Sequence, residues 1–140
     1  MLLASLIRSD HVAEHSAAYG GAGEDAAIRR ALRLFLDRPE LGFTWLTVED
    51  SMVVGLITVC FAVSTNLGAI VAKLPDFVVT ADARRRGVGR FMMASLVEEL
   101  RRMKVGRVDL GVHETNDGAR RFYERLGFIA NHELGMSLVL

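Results

Sequence analysis

The strongest constraint on the fold is a stretch without charge. Residues 51–72 contain no Asp, Glu, Lys or Arg, which is long enough for a membrane-spanning helix or for two paired strands. The residue types decide between them. Val53, Val54, Ile57, Thr58, Val59 and Val63 are β-branched, and Ser64-Thr65-Asn66-Leu67-Gly68 sets turn chemistry in the middle of the stretch. Branched side chains suit a pleated sheet, and Ser, Asn and Gly favour a reversal of the chain. The stretch reads as two strands joined by a turn, antiparallel because the connection is short, and not as a membrane span.

Around this pair the chain has the make-up of one globular domain over residues 1–140. Hydrophobic residues are 51%, charged ones 24%, and Pro occurs only twice, which argues against disorder and low complexity. Lys plus Arg and Asp plus Glu both count 17. That balance argues against a nucleic-acid partner bound through phosphate neutralisation. A first strand is expected over residues 2–8, then helical character over 9–37 broken at Gly20-Gly21-Ala22-Gly23. Ile28, Ala31, Leu32, Phe35 and Leu36 share one face of its second half, which Asp37-Arg38-Pro39 ends.

Residues 43–48 read as a strand, Glu49-Asp50-Ser51 as a tight turn and 52–63 as a long strand. A further strand covers 69–80, with Pro75 at an edge or an irregularity. Val88, Phe91, Met92, Leu96, Leu100 and Met103 recur at helical spacing, closed by Lys104-Val105-Gly106. Val108, Leu110 and Val112 alternate as in a strand. Thr115 or Asn116 caps a short helix with Ala119, Phe122, Tyr123 and Leu126 on its inner face, stopped by Gly127. Two last strands are expected over 128–131 and 136–140. This order describes an α/β or α+β mixed sheet with helices packed on it.

Cys60 is the only cysteine, which excludes an internal disulfide, a Cys-based zinc site and an iron–sulfur cluster, and points to a reducing, cytoplasmic compartment. Within Val59-Cys60-Phe61 it reads as a small buried hydrophobe. The apolar start of the chain has no basic segment before it, and Arg8 follows at once, so it does not read as a signal peptide. His11 and His15 would share a helix face, but no third ligand is evident, and no metal site is expected.

The chemistry concentrates in residues 76–90, Asp76-Phe77-Val78-Val79-Thr80-Ala81-Asp82-Ala83-Arg84-Arg85-Arg86-Gly87-Val88-Gly89-Arg90. An apolar strand runs into a basic, Gly-bearing turn that opens an amphipathic helix. Unpaired N–H groups at a helix start bind anions, glycines let the backbone approach them, and arginines add charge-assisted hydrogen bonds. This is the pattern of a phosphate or pyrophosphate site, or else of a solvated basic turn. No Walker loop is present. A dinucleotide fingerprint is matched in part by Gly87-x-Gly89 and by Asp109 on the next strand, but its third glycine position holds Met92.

Two spaced motifs carry a resemblance. Arg84-x-x-Gly87-x-Gly89 resembles the Arg/Gln-x-x-Gly-x-Gly/Ala signature of the GNAT superfamily of N-acetyltransferases. Leu110-x-Val112, followed by Asn116-x-x-Ala119-x-x-Phe122-Tyr123-Glu124-Arg125-Leu126-Gly127-Phe128, is similar to that family's second block. The match covers residues 74–130. It implies a single-domain, mixed and mostly antiparallel twisted sheet flanked by helices, with splayed central parallel strands. It also implies acetyl-CoA as co-substrate and no metal.

The family's pyrophosphate site falls on Arg84, Arg85, Arg86, Gly87, Val88, Gly89 and Arg90. Its pantetheine arm runs along the backbone of Val78 and Val79, and Asn116 touches that arm; equally, Asn116 reads as a helix cap. Tyr123 takes the position whose hydroxyl meets the CoA sulfur. A phenol of pKa ~10 is still protonated at neutral pH and can donate to a leaving thiolate. The implied reaction is direct attack by an amine, small molecule or peptide, assisted by a main-chain N–H near Val79. Asp76 is the first choice of base, with His113, Glu40 and Glu49 behind it. The histone-acetylating branch has a Glu where this chain has Lys73, which argues against a histone-like mechanism. A homodimer through the late strands is a family habit. The alternatives are a CoA-binding domain without catalysis and a small dinucleotide-binding module.

Overall fold

The computed structural model describes residues 25–140, so the strand expected over 2–8, the helical stretch 9–24 and His11 and His15 lie outside the described residues. The described chain falls into two compact units, one ending at Leu110 and one running from Gly111 to Leu140. The first contains α1 (Asp25–Asp37), β1 (Gly42–Glu49), β2 (Met52–Ser64), β3 (Ala69–Leu74), β4 (Phe77–Val79), α2 (Val88–Arg102) and β5 (Arg107–Leu110). The second contains α3 (Asp117–Arg125). Among the described residues no helix is long and apolar enough to cross a membrane.

The charge-free stretch forms β2, its turn and β3, antiparallel as expected. β1 pairs antiparallel with β2 through a turn in which Asp50 and Ser51 have φ of 47° and 62°. Two left-handed residues give a reversal whose hand matches strand twist. β5 lies parallel to β3, giving the order β1-β2-β3-β5, with β4 paired to β2. This is a mixed, mostly antiparallel α/β sheet.

Strand periodicity sends the helices to opposite faces. Leu56 packs with Ile28 and Leu32 of α1. A Cβ at the preceding residue, Gly55, would meet the Met92 side chain of α2, so Gly55 faces the other way. Leu56, Ile57 and Val59 are therefore buried on a strand covered on both faces, above Met92, Met93, Leu96 and Leu100. Trp45, paired with Ile57, lies on the α2 face, where its indole N–H donates to Ser95 Oγ at 3.2 Å.

The expected strand over 69–80 is divided at Pro75-Asp76. Between the pairs Lys73↔Cys60 and Phe77↔Ile57 one side advances a residue further than the other. This is a bulge, placed where Pro has no N–H to give the ladder. Thr58, 2% exposed, secures it: its Oγ1 accepts from the Asp76 N–H at 3.0 Å and donates to Asp76 Oδ2 at 2.5 Å. Thr58→Val leaves the Asp76 N–H without that acceptor. We expect it to lower stability by about 1–3 kcal/mol, read as a shifted urea midpoint at constant slope; an unchanged midpoint would assign the bulge to the backbone alone.

Two expectations fail. β5 stops at Leu110, opposite Leu74, so Val112 is outside any strand; past Leu74 the bulge has taken β3's line away from a partner. Residues 128–140 form neither helix nor strand. Ile129, Leu134, Met136 and Leu138 are 85–90% exposed, so the alternating pattern buries nothing here. A strand exists only with a ladder partner, whatever its propensity.

Candidate functional site

The candidate site is built by the turn between β4 and α2. The Thr80 N–H donates to Val54 O and the Thr58 N–H to Asp76 O, so Asp76, Val78 and Thr80 turn their backbones to β2. By alternation, Phe77 and Val79 turn theirs to the opposite edge, which carries no strand among the described residues. β5, the parallel neighbour on that side, has already ended at Leu110. Among the described residues β4 therefore has no ladder partner on that side. Val78 is buried by its side chain, and Val79 presents its N–H to the open edge.

A short 3-10 turn at Ala81–Ala83, anchored by buried Ala83, leads into the arginines. Arg85 and Gly87 both take left-handed backbone, at φ 61° and 79°. Gly87 is the N-cap of α2 with no side-chain cap, and the first helical bond runs from Phe91 N–H to Gly87 O at 3.0 Å. The N–H groups of Val88, Gly89 and Arg90 consequently have no carbonyl within the helix. They sit at the positive end of a helix of 15 residues and suit an anion. A Cβ on Gly87 would meet nothing within 4 Å, so the glycine serves the backbone conformation and the space above it is open.

The arginines divide. Arg84 Nε donates to Val79 O at 3.0 Å. Arg86 grips Glu49 at the end of β1 through two parallel bonds, Nη1 to Oε1 at 3.0 Å and Nη2 to Oε2 at 2.6 Å. Those donated bonds and the adjacent positive charge hold the Glu49 carboxyl below its ordinary range and push the Arg86 guanidinium up. The pair is therefore formed at neutral pH and is lost only as pH falls through the lowered Glu49 value. Arg85 and Arg90 are exposed. A cavity of about 290 Å³ lies beside the pair, lined by Val48, Glu49, Arg86, Gly87 and Phe91 among others.

Asp76 is half-buried, with its carboxylate on the α1 face against Thr58. Cys60 is only half-buried, and burial first, then the charge of Asp76, push its thiol up, which disfavours the thiolate. Glu40 pairs with Arg38. Both oxygens of Asp109 are taken by Arg107, at 2.8 and 3.0 Å, and Met92 is fully buried.

In the second unit Asn116 caps α3, its Oδ1 accepting from the Ala119 N–H at 3.0 Å. Tyr123 lies edge-on to Phe122 and Phe128, with centroids 5.3 and 5.6 Å away. His113 Nδ1 is 2.8 Å from Thr115 Oγ1, and Arg120 pairs with Asp117 and Glu124. The turn thus gathers Val79, Arg84, Arg85, Arg86, Gly87, Val88, Gly89 and Arg90 in one unit, while Asn116 and Tyr123 belong to the other. Sequence reasoning missed the Glu49–Arg86 pair. Its partners are 37 residues apart, and no local pattern links them.

Comparison with known proteins identifies the setting of this turn. The sequence model of the acetyltransferase (GNAT) family matches residues 6–128. The chain belongs to the GNAT acetyltransferase family. Solved structures share its fold. A transcriptional regulator from Bacillus halodurans C-125 superposes with a TM-score of 0.79 at 21% identity, over 99% of this chain and 91% of its own. A structure described as a probable acetyltransferase gives 0.76 at 23%, over 99% and 89%. The ribosomal-protein-alanine N-acetyltransferase from Brucella melitensis biovar Abortus 2308 gives 0.71 at 14%, over 99% and 88%. These likenesses carry the GNAT fold. The GNAT signature Arg84-x-x-Gly87-x-Gly89 lies on the turn described above.

Proposed function

We propose that this GNAT protein is an N-acetyltransferase that takes acetyl-CoA as co-substrate and acetylates a primary amine, of a small molecule or a peptide, by direct attack. The observation that carries the reading is the coincidence of the family signature with a built anion cradle. Three helix-start N–H groups and two exposed arginines stand one turn beyond the edge of β4 on which the Val79 N–H faces away from β2. Acetyl-CoA supplies the activated thioester.

The residues divide the work as follows. Val88, Gly89 and Arg90 donate their N–H groups to the diphosphate, with Arg85 and Arg90 adding charge. The Val79 N–H donates to the thioester oxygen as negative charge develops there. Asp76 receives the amine proton; its carboxylate is held in place by the Thr58 hydroxyl. Tyr123, by its place in the family motif, donates its phenolic proton to the departing thiolate.

The test is turnover. Incubated with acetyl-CoA and panels of polyamines, aminosugars and peptides with free N-termini, the protein should release free CoA thiol faster than without acceptor. Tight CoA binding with no release from any panel would favour a CoA-binding domain without catalysis. One observation already leans that way, since Asn116 and Asp76 both have structural tasks, as cap and as bulge partner.

A further inference from the structure

A carboxylate stands beside the proposed phosphate site, where Coulomb's law alone would not place one. Glu49 neutralises Arg86 through two bonds of 3.0 and 2.6 Å, so a cation of the signature turn is withdrawn from any incoming phosphate. The geometry of the turn supplies a reason. Arg85, a residue with a Cβ, holds φ 61°, and Gly87 holds 79°; left-handed backbone is unfavourable for an L-residue unless its surroundings impose it. No side chain caps α2 to fix the turn from inside. It is fixed from outside, by one guanidinium on each side of Arg85: Arg84 on the Val79 carbonyl of β4, and Arg86 on Glu49 of β1.

We infer that Glu49 is a positioning residue: by clamping Arg86 it holds the backbone from Arg85 to Gly87 in the shape that aims the N–H groups of α2 at the CoA diphosphate. The inference rests on the proposed CoA reading. It assigns Arg84 and Arg86 to anchoring the turn, and Arg85 and Arg90 to contacting phosphate.

The two roles open to Glu49 differ in sign. A carboxylate that merely repels the ligand should, once neutralised, give tighter CoA binding; a positioning carboxylate should give weaker binding. Calorimetric titration of the full chain with CoA is compared for wild type, Glu49→Gln, Arg86→Gln and the double variant, and pantetheine, which lacks the diphosphate, is titrated by NMR. Glu49→Gln should weaken CoA binding about tenfold, with Arg86→Gln similar and the double variant no worse than either. Pantetheine binding should stay within about twofold, since its contacts lie on β4. CoA binding that is unchanged or tighter in Glu49→Gln overturns the inference. So does an equal loss for CoA and pantetheine, which would mark a general role in folding. A wild-type chain that binds no CoA overturns the reading beneath it as well.

Discussion

Tyr123→Phe should lower the turnover number of acetyl transfer by about a hundredfold or more, with the KM for acetyl-CoA little changed. Direct attack on a thioester creates a thiolate, and a positioned acid that protonates it contributes ~10²–10⁴ in rate. The substitution removes the hydroxyl and keeps the ring. The aromatic ring, edge-on to Phe122 at 5.3 Å and to Phe128 at 5.6 Å, is retained with its packing. Binding energy from the nucleotide end is common to ground and transition states, so it holds KM and leaves the loss in turnover. Steady-state kinetics with the best amine acceptor makes the measurement. A turnover number equal to wild type would reduce Tyr123 to a packing residue.

The largest effect on stability should come from Gly42→Ala. Gly42 opens β1 opposite Cys60 with φ 149° and ψ −161°, a region essentially confined to glycine. A Cβ there would stand 1.8 Å from Val59 O, 2.8 Å from Val59 C and 3.0 Å from Cys60 Cα. All three are backbone atoms of the central strand, and no rotamer change relieves the collision. We expect a loss of about 3–5 kcal/mol, a large share of a typical domain's stability. Gly55 provides the internal comparison. Its added Cβ would meet the Met92 sulfur at 2.3 Å, a flexible side-chain end that can turn aside, so Gly55→Ala should cost less, about 1–3 kcal/mol. Urea denaturation of both variants decides; Gly42→Ala within 1 kcal/mol of wild type would mean the start of β1 can move without consequence.

What was legible in the sequence was whatever depends on neighbours along the chain. The charge-free stretch became two antiparallel strands because branched residues and a Ser-Asn-Gly turn are local signals. The helix from Val88 followed from apolar spacing, and the cap at Asn116 from its side-chain chemistry. The strand, turn and helix start of the proposed anion cradle were legible for the same reason, lying in one continuous run. What depended on partners distant in sequence was not. The extension of β5 to Val112 fails because its partner strand bulges at Pro75-Asp76, a matter of register between segments. The strands expected over 128–140 have the right alternation, yet these residues form neither helix nor strand. The pairing of Arg86 with Glu49 was not legible either. In the sequence Arg86 reads as one more phosphate ligand; in the structure its charge is met by a carboxylate on another strand.

The central claim is that the turn after β4 binds the diphosphate of CoA. Thermal unfolding of the purified chain tests it most directly, alone and with acetyl-CoA, CoA, NADH or ATP at equal concentration. A ligand at 100 times its dissociation constant adds about 2.7 kcal/mol to the stability of the form it binds. Both CoA species should raise the midpoint clearly, while NADH and ATP leave it in place. No shift with either CoA species would contradict the account and return residues 84–90 to an ordinary basic helix start.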